Sequence, residues 1–554
     1  VGKAAGSNII LIGFSATGKT RVSCEIARRL GWQLADTDNR IMEMAGKRIE
    51  HIFTEDGEPK FREYEKAALK EACNHGRAVI ACGGGVVVDP ANRELMSNSG
   101  IVILLEAKPE TIYQRLSSNT GEEIRPLLAG DDPMQNISEL KQKRQALYDE
   151  ASDWTVRTDN LTIEEVCGEV IRGWHYGIRR KNNIFGADVN TDSSSSVVVT
   201  ATGAYPVFVS YGILDKLGAK LKDAGLSGMV SLISDDNVNK IYGKRVERII
   251  KDAGYDVDTY VVSAGEQSKS LDVAAKIYDW MVQRRVERGS AVVALGGGMV
   301  GDLAGFVAAT YLRGLPLVYI PTSLLAMVDA SIGGKVAVDH AEGKNLIGSF
   351  YQPQLVLSDV KTLTTLPQRE LTSGWAELIK HALILDADLF KFLDSQSQML
   401  VGLDKKTTVE AVARSAAIKA GVVSLDEKEA SLRTILNYGH TIAHGLEATF
   451  NYDRFLHGEA VAIGMAGAAM VSQRLGHISS DILEKQKAVL EKFGLSLYCD
   501  DVDSAKVLRA IQLDKKVRGK KVRWVLLEDI GKTVIRDDVP DDLVLDVVKS
   551  LTIS

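Results

Sequence analysis

The stretch Asn8-Ile9-Ile10-Leu11-Ile12-Gly13-Phe14-Ser15-Ala16-Thr17-Gly18-Lys19-Thr20 runs from an apolar segment straight into a full GxxxxGK[ST] pattern. Asn8–Gly13 predicts a strand and Lys19–Leu30 a helix, the strand–loop–helix context in which this pattern has meaning. Its glycines let backbone N–H groups turn inward around phosphate oxygens, and the start of the helix adds its dipole. Lys19 is placed to neutralise terminal phosphates and the Thr20 hydroxyl to hold Mg²⁺. A Gly-rich turn that binds nothing is the bland alternative, and pattern plus context weigh against it.

Outward from this loop, β-rich runs alternate with longer amphipathic segments. Ala78–Ala81 and Ile101–Leu105 read as further strands, the patterning of α/β folds with a parallel sheet. The same pattern restarts later at Val230–Ser234, Asp256–Val262, Ser290–Leu295 and Leu317–Pro321. From about Arg369 long Ala/Leu/Glu/Lys segments dominate and strands are expected to stop. Between the two α/β blocks, Asn190-Thr191-Asp192-Ser193-Ser194-Ser195-Ser196 reads as a linker, preceded by the basic Arg179-Arg180-Lys181. The expected domains are 1–175, a P-loop α/β unit; 176–196, a linker; 197–368, an α/β nucleotide-binding domain; and 369–554, a mainly helical domain.

The bulk figures agree. A length of 554 residues suits three or four folding units. With 45% hydrophobic and 25% charged residues, a disordered or fibrous chain is excluded. A net charge of −6 gives no global reason to bind nucleic acid or an anionic membrane. The longest apolar run, Ala460–Val471, is too short for a membrane span and reads as a packed helix. Five scattered cysteines without CxxC spacing suggest a reducing compartment, and a cytoplasmic location is expected. Residue 1 is Val and not Met, so the natural start can lie upstream.

A phosphate loop does not identify the second substrate. Asp36-Thr37-Asp38 follows the next apolar stretch, Trp32–Ala35, and two carboxylates at i and i+2 on a strand project to one side. Such a pair alone is more often a turn or a cap. Arg62, the triple glycine Gly83-Gly84-Gly85 after another strand, Arg125-Pro126-Leu127-Leu128 and Arg144 shift that balance. Together these residues resemble shikimate kinase over nearly the whole first block. The resemblance implies ATP with Mg²⁺ at Gly13, Ser15, Ala16, Thr17, Gly18, Lys19, Thr20 and Arg21, with Asp36 near the metal and Arg125 in a lid. It implies shikimate at Asp38, Arg62, Gly83, Gly84, Gly85 and Arg144, with Asp38 and Lys19 as catalytic residues. A polyhydroxy acid requires guanidinium groups for its carboxylate and carboxylates for its hydroxyls. Another small-metabolite P-loop kinase is the alternative.

In the second block, Leu295-Gly296-Gly297-Gly298-Met299-Val300-Gly301-Asp302 follows a predicted strand and opens a helix. It is not GxGxxG but shares its logic of presenting amides to a pyrophosphate. Asp329, Lys335, Lys344 and Asn345 follow within seventeen positions, in stretches expected to be Gly-rich loops. Of nine histidines, four fall between His381 and His457. His440 and His444, at i and i+4, could share a helix face and bind Zn²⁺ together, with core or capping histidines as the alternative.

The second block also resembles 3-dehydroquinate synthase, through Ala376-Glu377-Leu378-Ile379-Lys380-His381, Asn437-Tyr438-Gly439-His440-Thr441-Ile442-Ala443-His444 and His457-Gly458-Glu459. The resemblance implies Zn²⁺ or Co²⁺ on Glu377, His440 and His457, with His444 turned to substrate phosphate. It implies NAD⁺ at Ala264, Gly265, Glu266, Gln267, Ser268, Lys269, Gly298, Met299, Val300, Gly301, Asp302, Thr322, Ser323, Lys335, Lys344, Thr362, Leu363, Thr364 and Thr365. Substrate is implied at Arg313, Asp329, Lys335, Asn345, Lys380, Lys419, Arg433, Asn437, His444 and Lys515 of Lys515-Lys516. Lys335, Lys380, His444 and Asn437 are the expected catalytic groups. Arg313 is implied to reach across a homodimer interface of the synthase unit.

The expected protein is therefore an α/β P-loop kinase domain fused to an α/β NAD-binding domain and a helical metal-binding domain. The resemblance implies two activities: phosphorylation of shikimate, and cyclisation of 3-deoxy-D-arabino-heptulosonate 7-phosphate to 3-dehydroquinate with loss of phosphate. The expected partners are small molecules, with no nucleic acid and no membrane. The alternatives are another cyclisation product, a non-catalytic half that only binds ligand, and a simple metal-dependent alcohol dehydrogenase.

Overall fold

The computed structural model describes residues 8–117, 132–159, 161–181, 194–200, 203–427, 429, 432–450, 453–518 and 522–553. The chain divides into two compact units, Val1–Gly186 and Ala187–Ser554.

In the first unit, strands β1 (Asn8–Ile12), β2 (Gln33–Asp36), β3 (Ala78–Ala81), β4 (Gly100–Glu106) and β5 (Trp154–Arg157) form one sheet in the order β2-β3-β1-β4-β5. Every neighbouring pair is parallel. β1 and β3 are buried along their whole length, and this is why they read as continuous apolar runs. Helix Lys19–Leu30 buries Val22, Ser23, Ile26 and Ala27, and Gly31 closes it in the left-handed region. The chain leaves β1 for β2 on one side, while β4 lies on the other. A topological switch therefore stands at the carboxyl end of β1, where the phosphate loop begins.

The second unit is built on β6 (Ser194–Thr200), β7 (Gly203–Ser210), β8 (Val230–Asp235), β9 (Val257–Val262), β10 (Ala291–Gly296), β11 (Leu317–Pro321) and β14 (Leu355–Asp359). Their order is β6-β7-β14-β11-β10-β8-β9, with β6 antiparallel to β7 and the rest parallel. Between β11 and β14 a separate antiparallel hairpin joins β12 (Lys335–His340) to β13 (Gly343–Phe350). The chain then becomes mainly helical. Helix Gln368–Leu385 buries every residue from Ser373 to Leu385. Such a helix must carry its charges in pairs, and it carries Glu377, Lys380 and His381.

The helices around it approach closely because small residues stand at the crossings. A Cβ on Gly458, at the start of helix His457–Arg474, would lie 1.9 Å from the Ser373 carbonyl oxygen. A Cβ on Gly464 would lie 2.1 Å from the Gly439 carbonyl oxygen, just before helix His440–Thr449. Glycine at these two crossings lets three helices converge on one point.

Three sequence expectations need correction. Helix Ile163–Lys181 runs beyond residue 175 and β6 begins at Ser194, so the expected linker over 176–196 loses both ends to secondary structure. Its centre, 182–193, lies outside the described residues. Strands do not stop at Arg369, because β15 (Cys499–Asp500) pairs with β18 (Thr552–Ile553), and β16 (Trp524–Asp529) with β17 (Lys532–Arg536). Lys335, Lys344 and Asn345 sit on the β12–β13 ribbon, Asn345 with a left-handed backbone (φ 57°), whereas loops were expected. Among the described residues, no helix is long and apolar enough to cross a membrane.

Candidate functional site

In the first unit the Lys19 ammonium lies across the mouth of the phosphate loop, donating to the carbonyls of Gly13 and Phe14 at 2.8 Å each. Thr17 Oγ1 donates to the Phe14 carbonyl at 2.9 Å and stiffens the same turn. Thr20 Oγ1 stands 3.5 Å from Asp36 Oδ2, so hydroxyl and carboxylate converge where Mg²⁺ chemistry requires them. Asp36 is also a helix cap. Its Oδ1 accepts the N–H groups of Asp38 and Asn39, and Asp38 lies in the first helical turn. The two carboxylates are thus not on one face of a strand as expected. The cap leaves Asp36 facing Thr20 and turns Asp38 toward the triple glycine.

The triple glycine works through close approach. A Cβ on Gly83 would lie 2.6 Å from Asp38 Oδ1, and one on Gly85 would lie 2.5 Å from Arg62 Nη1. Any larger residue would push both away. Arg144 donates to the Gly84 carbonyl at 3.1 Å and Tyr148 OH to the same oxygen at 2.6 Å. Arg62 is oriented by Glu65 Oε2 at 2.7 Å and Glu58 Oε1 at 2.9 Å. Burial pushes the Glu65 carboxyl up, with Arg62 opposing and the nearby Asp38 adding to the rise. Arg21 lies exposed on the helix surface, and Arg125 falls outside the described residues. Sequence reasoning missed Glu65, although its i, i+3 spacing from Arg62 was a usable signal. It also missed Arg115, whose guanidinium reaches the Ala16 carbonyl at 3.4 Å and Thr158 Oγ1 at 3.0 Å.

In the second unit the candidate nucleotide residues other than Lys335 and Lys344, which lie on the β12–β13 hairpin, follow carboxyl ends of parallel strands. Ala264–Lys269 follow β9, Gly298–Asp302 follow β10, Thr322 and Ser323 follow β11, and Thr362–Thr365 follow β14. From β8 the chain continues outward to β9, and from β10 it continues the other way to β11. The crevice between β8 and β10 is therefore the switch point at which open α/β sheets bind ligands. Asp235 and Asp236, which end β8 and begin the next turn, were not foreseen. Asp236 Oδ1 accepts the Ala264 N–H at 3.0 Å. Buried Lys269 gathers this side, reaching Asp302 Oδ2 at 2.6 Å, Glu266 Oε1 at 3.7 Å and also Asn345 Oδ1. Lys344 Nζ stands 3.8 Å from Glu266 Oε1. Burial pushes the Asp302 carboxyl up to about 6, against the pull of Lys269. Gly301 has a packing duty, because its missing Cβ would lie 2.0 Å from the Tyr319 ring.

The candidate metal-ligating side chains come from three helices. Glu377 is fully buried, its Oε2 facing the Lys380 ammonium and its Oε1 turned toward two histidine rings. His440 Nε2 and His457 Nε2 each stand 3.6 Å from Glu377 Oε1. Two ligands at 2.0–2.1 Å from a tetrahedral ion stand about 3.4 Å apart, so the three atoms fit a common Zn²⁺-sized cation. The T-shaped His440–His444 pair, with centroids 5.4 Å apart, lies on one helix face as spacing suggested. Yet the ligand atoms that converge are those of Glu377, His440 and His457. Three protein ligands leave a tetrahedral ion one open position, as catalysis requires.

Charge around the cluster is balanced locally. The Lys380 ammonium meets Glu377 Oε2. Burial alone would raise the Glu377 carboxyl, but Lys380 and the two histidines hold it well below its ordinary value. Asp329, Glu377 and His381 also lie within reach of one another. Lys419 already occupies Asp329 Oδ1, however, so a second cation there would meet two ammonium groups. Arg433, almost fully buried, donates to the carbonyls of Gly333 at 3.4 Å and Glu427 at 3.0 Å. Lys335 meets the Glu429 carboxylate, a partner 94 positions away with no local sequence signal. Asn437 closes the 3-10 turn Leu432–Asn437 just ahead of His440. Lys515 lies in helix Ser504–Arg518, and its side chain is outside the description.

His440 and His457 differ in proton affinity. Burial, reinforced by Lys380, holds the His440 ring neutral. Burial also opposes charge on His457, but the carboxylates of Glu377 and Glu447 outweigh it and lift the ring to about 10. A metal ion must then displace one proton from His457 throughout the neutral range. Below that raised value the proton competes with the metal, so affinity should climb as pH rises, by roughly tenfold per pH unit between 7 and 9. Chelator competition at several pH values measures this slope, and a flat profile would contradict the assignment.

Residues 15–174 match the shikimate kinase family model, 259–373 the 3-dehydroquinate synthase N-terminal model, and 374–517 the 3-dehydroquinate synthase C-terminal model. A 3-dehydroquinate synthase of Crocosphaera subtropica is 44% identical over 351 residues, covering 63% of this chain and 96% of the relative. A solved 2-epi-5-epi-valiolone synthase from Streptomyces hygroscopicus subsp. jinggangensis 5008, with NAD⁺ and Zn²⁺ bound, is 28% identical with a TM-score of 0.59, covering 63% of this chain and 96% of that one. A 2-deoxy-scyllo-inosose synthase complexed with carbaglucose-6-phosphate, NAD⁺ and Co²⁺ is 25% identical with a TM-score of 0.59, covering 64% and 99%.

Proposed function

Because the chain belongs to the 3-dehydroquinate synthase family and carries a shikimate kinase domain ahead of that part, we propose that it phosphorylates shikimate with ATP and cyclises a seven-carbon keto-acid phosphate to 3-dehydroquinate. The convergence of His440 and His457 Nε2 on buried Glu377 Oε1 carries the second half of this reading. The phosphate loop with Thr20 opposite Asp36 carries the first.

In the kinase unit, Lys19 and the loop amides hold the transferred phosphate, and Asp38 orients the attacking hydroxyl. Arg62 and Arg144 take the shikimate carboxylate, steadied by Glu65 and by the Gly84 carbonyl. Phosphoryl transfer needs little more than such positioning and charge neutralisation. In the synthase unit, Glu377, His440 and His457 would hold Zn²⁺ or Co²⁺, and the residues at the β8/β10 crevice would hold NAD⁺. Bound there, the ion would supply Lewis acidity and the nicotinamide a reversible oxidation. Lys335, Lys380, Lys419, Arg433 and His444 bind the carboxylate and phosphate and stabilise developing negative charge.

Support for a homodimer comes from Leu312 and Arg313, consecutive left-handed residues on an exposed turn. That conformation costs roughly 1–2 kcal/mol per residue, and such strain collects where function requires it. We assign Arg313 to the neighbouring copy's substrate. The domains are assigned as 1–181, 194–368 and 369–554, with the first and second bounds moved to the ends of helix Ile163–Lys181 and strand β6, and the cytoplasm as the compartment.

The solved neighbours, a valiolone and an inosose synthase, favour a second reading in which the cyclised product differs. One assay of the full chain separates these. With ATP, excess Mg²⁺ and shikimate, it should form shikimate 3-phosphate. With NAD⁺ and the heptulosonate phosphate, it should release phosphate together with the ultraviolet absorbance of dehydroquinate. A zinc-selective chelator should stop only the second reaction, and added Zn²⁺ should restore it. Phosphate release without that absorbance would favour the second reading.

A further inference from the structure

His457 is held at both ring nitrogens. Its Nε2 faces the gap shared with Glu377 and His440, while its Nδ1 stands 3.2 Å from Glu447 Oε1. Glu447 is nearly buried and sits two turns into helix His440–Thr449, whose first residue is His440 itself. One helix face thus supplies one candidate ligand directly and the support of another. His440 has the equivalent support from a neutral group, its Nδ1 lying 3.3 Å from the Tyr438 carbonyl oxygen.

These contacts fix tautomers. A hydrogen on Nδ1 that is donated to Glu447 leaves the Nε2 lone pair free to face the cation gap. The contact also addresses charge, because Lys380 sits on Glu377 and partly cancels the only carboxylate ligand. A divalent ion beside that ammonium needs a second anion nearby, and Glu447 is placed to be it. We propose that Glu447 is a positioning residue for the metal centre: it orients His457, fixes its tautomer and supplies the second negative charge that holds a divalent cation beside Lys380. The inference rests on the metal-site reading above.

The test uses the full chain stripped of metal and titrated with Zn²⁺ against a chromophoric chelator. The wild-type chain should bind one Zn²⁺, and H457A should lose it; if the wild-type chain takes up none, the metal-site reading itself fails. Given a wild-type site, E447A should bind Zn²⁺ roughly 10–100-fold more weakly, the cost of losing an outer partner of a ligating histidine. E447Q should fall between the two, because the amide oxygen still accepts a hydrogen bond but carries no charge. With Co²⁺ in place of Zn²⁺, the visible absorption bands of E447A should shift, since the ligand ring is free to turn. NAD⁺ binding by the same variants, which should be unchanged, reports that the unit is folded. Wild-type Zn²⁺ affinity and an unaltered Co²⁺ spectrum in folded E447A and E447Q would overturn the proposal.

Discussion

Replacing His440 by alanine should abolish cyclisation while leaving phosphorylation of shikimate at its wild-type rate. His440 and His457 each stand 3.6 Å from Glu377 Oε1, and no other described histidine nitrogen joins that group. Removing one of three ligands should cost more than the roughly 10–100-fold lost with an outer-shell partner. It also leaves Glu377 buried with only Lys380 and His457 to balance it. The phosphate loop belongs to the other compact unit and shares no residue with this cluster. Both activities and the bound Zn²⁺ are measured on one preparation. Cyclisation within tenfold of wild type would remove His440 from the metal site, and a parallel loss of kinase activity would show that the sites are not independent.

The second large effect lies at the other end of the chain. Lys19→Ala should leave cyclisation intact and lower phosphorylation by about 10²–10³-fold or more, the scale of removing one preorganised donor aimed at developing charge. The substitution is conformationally mild. Lys19 is the first residue of helix Lys19–Leu30, and alanine is the better helix former. The change removes the ammonium held at 2.8 Å from the Gly13 and Phe14 carbonyls. The loss should appear in kcat and in the KM for ATP, with the KM for shikimate little changed. A variant that keeps phosphorylation within tenfold of wild type would exclude Lys19 from phosphate stabilisation.

Local chemistry was legible in the sequence because its parts lie side by side in the chain. Helix Lys19–Leu30 and strands Ala78–Ala81 and Leu317–Pro321 have the expected bounds. In each, burial pattern and backbone geometry are written in consecutive residues. The parallel α/β architecture followed by helices was likewise readable from alternating apolar runs. Where one side chain can serve either of two neighbouring elements, local reading lost detail. Asp36 and Asp38 looked like a strand pair, but the unpaired N–H groups of the next helix claimed Asp36 as a cap.

By itself, then, the amino-acid order determined the phosphate loop, the strand–helix alternation and the residue types a metal and two anionic substrates need. Helical spacing alone favoured His440 with His444, since it knows only one helix. The choice of Glu377 and His457 as His440's companions was decided by tertiary packing. Glycines 458 and 464 let backbones cross at distances no side chain permits, and these crossings bring nitrogens and a carboxylate from three helices to one buried point. Convergence of that kind depends on how closely helices pass, and no single segment encodes it.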